Sequence, residues 1–265
     1  MKLFHKKLGE GNPLIILHGL FGMSDNWMTM AKQFAANGFA CYTVDQRNHG
    51  RSGHSDTFNY DVMAADLMEL MEDENISSAD LIGHSMGGKT AMFFAVAHPE
   101  KTEKLVVADI APRYYSPHHD SVIAALHTID FTRITSRKEA EEQLRISLHD
   151  EATVQFLLKS LYWKDEGRGT TGMEPEKTLA WRFNLEGIEK NIDRVGEALP
   201  EDKRFDKPTL FVRGERSSYV TNEDEIIIKK QFPLAQIKTI PQAGHWVHAE
   251  NPNVFFDTVS GFLKS

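Results

Sequence analysis

The chain has 265 residues, 41% of them hydrophobic and 26% charged, with a formal net charge of −8. This is ordinary for a globular protein with one sizeable core or two modest ones, and it leaves no basic footprint for nucleic acid and no polybasic membrane anchor. The single cysteine, Cys41, excludes an internal disulfide, no apolar run approaches the ~20 residues that span a bilayer, and MKLFHKKLGEGNPL lacks a secretion signal, so a cytoplasmic location is expected.

Short apolar runs then alternate with amphipathic stretches. LIIL (14–17) reads as a strand, followed by a helix over about 26–37 that ends at Gly38. FACYTV (39–44) is a second strand, with Cys41 as a small buried hydrophobe. The VDQRNHGRS segment (44–52) reads as a tight turn held by hydrogen bonds of Asp45 and Arg47 rather than as a second active site around His49 and Ser52. A helix over about 60–73 leads to the strand ADLIG (79–83), and a helix over about 87–98 closes at Pro99 before the strand KLVVA (104–108). TLFVR (209–213) and QIKTI (236–240) are later strands, separated by a helix over about 223–231, and a last helix starts at Pro252. Strands apolar at nearly every position are covered on both faces, and their alternation with helices implies a parallel sheet.

One stretch breaks the pattern. From Pro112 to Lys203 no strand is expected; Ser136 with Glu139 caps one helix, and VQFLLKSLYW (154–163) and NLEGIEKNIDRV (184–195) form two more. About ninety helical residues between two core strands read as an inserted cap. The expected division is a core of 1–111 and 204–265 with a helical cap over 112–203.

The strand ADLIG runs into Gly83-His84-Ser85-Met86-Gly87, which fits G-x-S-x-G. A serine on a sharp strand-to-helix turn projects its oxygen from the sheet edge, and glycines two before and two after let the segments approach. The same residues also spell a phosphate-binding loop: GHSMGGKT (83–90) matches G-x-x-x-x-G-K-[ST], with LVVAD ending at Asp109 behind it. A nucleotide hydrolase, however, leaves HGLFG (18–22) and AGHW (243–246) unexplained. A serine nucleophile requires an oxyanion segment before it and an acid and a histidine after it, and all are present in that order. Lys89 and Thr90 are then ordinary first-turn helix residues.

The loop after LIIL supplies one oxyanion N–H and the residue after the nucleophile the other. Leu20 and Met86 are assigned these roles, with Phe21 the alternative to Leu20. His245 follows a strand and a glycine near the C-terminal end, where the general base belongs, and neutral imidazole suits that task. His248 packs locally, and His118-His119 lack ligands at metal spacing, so no metal site is expected. The acid has two possible positions. No Asp follows TLFVR, where Glu215 is the nearest carboxylate and Ser217 occupies the expected place. Asp109, at the end of KLVVAD, is favoured, with Ser217 bonding the Asp109–His245 pair.

HGLFG, D-x-RNHG-x-S, GHSMGGK, ADIAP, WRFNL and AGHWVHAE together resemble the YbfF-like esterases of the α/β-hydrolase superfamily, over nearly the whole chain from about residue 14. The resemblance implies an eight-stranded, mostly parallel sheet with a helical cap inserted after the sixth strand. It implies hydrolysis of small-molecule acyl esters, with thioesters such as acyl-CoA also open, and it supports Ser85, Asp109 and His245 as the triad with Ser217 beside them. No cofactor is expected. The cap should shape the acyl pocket, with Phe156, Leu157, Tyr162, Trp163, Trp181 and Phe183 as apolar candidates beside Phe21 and Trp246. Arg182, between two aromatics, is not expected to bind substrate. A non-hydrolytic receptor, a carbon–carbon bond hydrolase and an acyltransferase on the same scaffold are the alternatives, and monomer and homodimer remain open.

Overall fold

The computed structural model describes residues 1–165 and 177–265. Strands β1 (His5–Leu8), β2 (Asn12–Leu17), β3 (Phe39–Val44), β4 (Ala79–His84) and β5 (Thr102–Ala108) alternate with helices α1 (Met28–Ala35), α2 (Tyr60–Asp73) and α3 (Met86–Ala97). The segment that follows carries helices α4 (Asp120–His127), α5 (Arg137–Ser147) and α6 (Glu151–Leu158), then the hairpin strands β6 (Leu161–Asp165) and β7 (Lys177–Trp181), then the short helices α7 (Leu185–Glu189) and α8 (Ile192–Val195). Strand β8 (Thr209–Gly214), helix α9 (Asp224–Gln231), strand β9 (Ala235–Ile240) and helices α10 (Val247–Glu250) and α11 (Pro252–Lys264) complete the chain.

The main sheet has the order β1-β3-β2-β4-β5-β8-β9. Every neighbouring pair is parallel except β1 with β3. Helices cover both faces because the central strands are apolar on both. Leu14, Ile16, Ile82, Val106 and Val212 pack towards α1 and α11, while Ile15, Leu81, Leu105, Val107 and Phe211 pack towards α2, α3 and α9. Cys41 is fully buried in the first of these layers, and burial raises its thiol pKa to about 12.

Three sequence expectations need correction. Among the described residues the main sheet has seven strands, not eight. Residues 1–4 add no strand, because Phe4 is bonded to the 45–52 turn through Ser52 Oγ and Asp45 N, at 2.8 Å each. The insertion accordingly follows the fifth strand. Among the described residues the insertion is also not wholly helical. The helix expected over 154–163 stops at Leu158, and LYWKD instead pairs antiparallel with KTLAW, Leu161 facing Trp181. The helix expected over 184–195 is split in two. The antiparallel edge strand β1 and this hairpin are short and half-polar, and neither carries the continuous apolar signal of the central strands.

Candidate active site

Ser85 joins β4 to α3 in a left-handed conformation, φ 53° and ψ −121°. A non-glycine residue there carries about 1–3 kcal/mol of strain. The flanking glycines are required by contact. A Cβ on Gly83 would stand 2.2 Å from the Gly87 carbonyl oxygen, and one on Gly87 would stand 2.4 Å from that of Leu17. The strained turn is held by the sheet itself, since Ser85 N–H donates to Ala108 O at 3.0 Å.

Asp109 follows β5 directly, also at positive φ (53°), and is completely buried. Its carboxylate is saturated with donors. Gly214 N–H donates to Oδ1 at 3.0 Å, His245 Nδ1 lies 2.8 Å from Oδ2, and the Ser217 hydroxyl donates to the same Oδ2. These groups converge because β5 and β8 are neighbours, so their C-terminal ends open on the same side. Acceptor-only Asp109 requires the proton of His245 to sit on Nδ1, which leaves Nε2 as a lone-pair base. Glu215 is exposed, and its carboxylate accepts from Gln242 N–H at 2.8 Å instead. Of the two carboxylates, the structure brings Asp109 to the imidazole.

Ser85 and His245 line one cavity of about 270 Å³, without a direct hydrogen bond between them. Such bonds are often open in unliganded sites. Gly19, Leu20, Phe21, Phe156, Leu157 and Trp246 also line it. The amide of Phe21 is not available to an oxyanion. It donates to His49 Nε2 at 3.1 Å, while His49 Nδ1 lies 2.8 Å from Arg47 O. His49 is buried and desolvation lowers its pKa to about 3, so the neutral tautomer that accepts from Phe21 persists. Leu20 and Met86, by contrast, flank Ser85 in a small recess of about 20 Å³, and among the described residues neither amide has an acceptor. The turn at 45–52 thus buttresses this loop. Asp45 accepts from Ser24 N–H at 2.6 Å, and Arg47 makes two hydrogen bonds to Asp66 at 2.5 and 2.7 Å.

Several expected pocket residues lie elsewhere. Phe183 stacks on Trp181 and packs on Phe21, with ring centroids 5.3 and 5.0 Å apart, so Phe183 supports the loop after β2. Tyr162 lies under the guanidinium of Arg182 at 4.3 Å, and Trp163 is half exposed. None of these lines the cavity beside Ser85. His248 is buried and stacked on Trp27 at 4.0 Å.

The cavity holds groups that sequence reasoning did not place there. His118, His119 and Val122 enter it from the start of the insertion, and Tyr219 from the loop after β8. The Tyr219 ring stacks on the His245 imidazole at 3.9 Å, and its hydroxyl meets His118 Nε2 at 2.5 Å. The adjacent histidines His118-His119 were the available signal, but no local pattern says that they fold back over Ser85. Among the described residues no His, Cys, Asp or Glu cluster has a metal-binding arrangement, and no helix is long and apolar enough to cross a membrane.

Lys89 is not an ordinary helix residue. It is fully buried and donates to the Arg113 and Glu197 carbonyls at 2.5 and 2.8 Å. An ammonium committed to two backbone carbonyls is not placed to hold phosphate, so the phosphate-loop reading of GHSMGGKT falls.

Comparison with known proteins agrees with this geometry. Residues 12–252 match the family described as the alpha/beta hydrolase fold. A zebrafish (Danio rerio) protein named sn-1-specific diacylglycerol lipase ABHD11 is 39% identical over 264 residues, covering 97% of this chain and 80% of its own. Esterase YbfF of Escherichia coli K12 is 34% identical, covering 96% and 94%. A solved structure described as a marine microorganism esterase superposes with a TM-score of 0.92 at 44% identity, covering 99% of each chain.

Proposed function

Because the chain belongs to the α/β-hydrolase family, we propose that it hydrolyses carboxylic esters through an acyl-enzyme on Ser85. The observation that carries this reading is the fully buried Asp109 carboxylate bonded to His245, with both His245 and the strained Ser85 opening on one cavity. Relatives named as esterases and lipases support the same bond class.

His245 Nε2 takes the Ser85 proton as Oγ attacks the ester carbonyl. The oxyanion is held by the N–H groups of Leu20 and Met86, at the start of a helix whose dipole favours negative charge. The imidazolium then protonates the leaving alcohol. Water enters, gives a proton to His245 as its oxygen attacks the acyl carbonyl, and the bond to Ser85 Oγ then breaks with that proton passing from His245 to Oγ, which releases the acid and restores the serine. Asp109 holds the ring and stabilises its charged form, and Ser217 holds Asp109. Residues 112–203 act as a cap whose Val122, Phe156 and Leu157 shape the acyl side of the cavity. The substrate is a small-molecule carboxylic ester, and thioesters follow the same route.

A panel of p-nitrophenyl esters and acyl-CoA thioesters on the wild type and Ser85→Ala tests this. Turnover should fall about 10⁴–10⁶-fold in the variant, with organophosphate labelling lost at Ser85. A loss of less than tenfold removes Ser85 as nucleophile.

A further inference from the structure

Lys89 takes no part in the chemistry above, yet it is wholly buried one helical turn beyond the nucleophile, its amide donating to Ser85 O at 3.0 Å. Lysine is almost never buried without partners. Its two acceptors lie on the two stems of the insertion, Arg113 on the outgoing stem and Glu197 on the returning one. These stems also pair with each other. Tyr115 N–H donates to Gly196 O and Leu199 N–H to Pro112 O, both at 2.8 Å. The packing leaves no slack, since a Cβ on Gly196 would stand 1.8 Å from Tyr115 O.

The contacts continue to the proposed base. The Lys89 ammonium lies 5.2 Å from the Tyr115 ring centroid, and Arg113, paired with Asp224 at 2.7 Å, lies over the same ring at 3.9 Å. Tyr115 Oη accepts from Ala111 N–H at 2.8 Å and donates to Tyr219 O at 2.5 Å. The Tyr219 ring stacks on His245.

We propose that Lys89 is a positioning residue that ties both stems of the insertion to the nucleophile helix and, through Tyr115 and Tyr219, holds the His245 ring in register with Ser85. The proposal rests on the triad reading above. An apolar side chain of the same length would leave both carbonyls unpaired, so the two convergent acceptors call for a donor at this position. Burial lowers the Lys89 pKa to about 7, and the two carbonyls favour the protonated form.

The test compares the full-length wild type with Lys89→Met and Lys89→Gln by amide hydrogen exchange, ester kinetics and organophosphate labelling. In Lys89→Met, exchange at the Tyr115 and Leu199 amides should rise about tenfold or more while the amides of β4 and β5 keep their protection. Turnover and the labelling rate should fall together by about 10- to 100-fold, as a displaced base predicts. Lys89→Gln, whose amide reaches one carbonyl, should recover part of both. Unchanged exchange and kinetics in Lys89→Met overturn the tether. So does exchange that rises throughout the core with equal losses in both variants. If neither variant folds, the role is structural and the proposal also fails. If the wild type neither hydrolyses esters nor labels at Ser85, the triad reading fails, while the exchange comparison still decides on the tether.

Discussion

Asp109→Asn exchanges one carboxylate oxygen for an amide nitrogen at nearly constant volume, at a site where three donors converge. Gly214 N–H can keep the remaining oxygen. The new NH₂ then faces the His245 ring nitrogen and the Ser217 hydroxyl, both of which had been donating. His245 must present a lone pair at Nδ1, so its proton moves to Nε2, the nitrogen that has to accept the serine proton. Hydrogen bonds to a charged group contribute about 1.5–3 kcal/mol each, so losing two costs roughly 3–6 kcal/mol, or about 10²–10⁴ in rate. The wrong tautomer places the loss near the top of that range, about 10⁴-fold. The assay is turnover of a p-nitrophenyl ester normalised to active sites titrated with an organophosphate. Glu215→Gln is the control, expected to stay within about threefold of wild type because an exposed carboxylate bonded only to a backbone amide contributes little. If Asp109→Asn stays within tenfold of wild type while Glu215→Gln is crippled, the acid has been misassigned.

Ser217→Ala removes one of the three donors to Asp109 and leaves the His245 bond, so turnover should fall about tenfold; an unchanged rate makes Ser217 a bystander. Stability should drop steeply below pH 6.5. Burial lowers the pKa values of His18, His49 and His248 to about 4, 3 and 3, so the unfolded chain binds protons there that the native state refuses. At pH 5 this amounts to about 2 kcal/mol per histidine relative to pH 7. Asp80, raised to about 6 by burial, keeps a proton in the native state and trims the slope. Urea unfolding at pH 7 and pH 5 measures the difference, and a flat profile refutes it.

The proposed triad could be picked out because its members carry local signals. Ser85 sits in a glycine-bracketed turn, Asp109 ends an apolar strand, and His245 follows a glycine after another. The central strands were equally plain, being apolar at almost every position. What escaped depends on partners distant in sequence. Lys89 follows two glycines at a helix start, where exposure or a phosphate is the ordinary expectation; only the stems at Arg113 and Glu197 bury it. Trp181 and Phe183 are as apolar as Phe156, but register in the hairpin and the next loop directs Phe183 onto Phe21 and Trp181 onto Phe183 and Phe131 instead of the cavity. His118 and His119 reach the site only because the outgoing stem folds back across Ser85.

The pairing of the two stems has a wider consequence: the insertion leaves the core at Pro112–Tyr115 and comes back to it at Gly196–Leu199, two segments hydrogen-bonded to each other, and so passes through a single doorway. The entropic penalty of closing a loop rises only slowly with its length, so the material passing through that doorway can be lengthened, trimmed or exchanged with little thermodynamic penalty to the sheet beneath. Chemistry anchored in the sheet and selectivity carried by the excursion are thereby separable. A graft that preserves the paired threshold at Pro112–Tyr115 and Gly196–Leu199 is the natural way to redirect this scaffold to other esters.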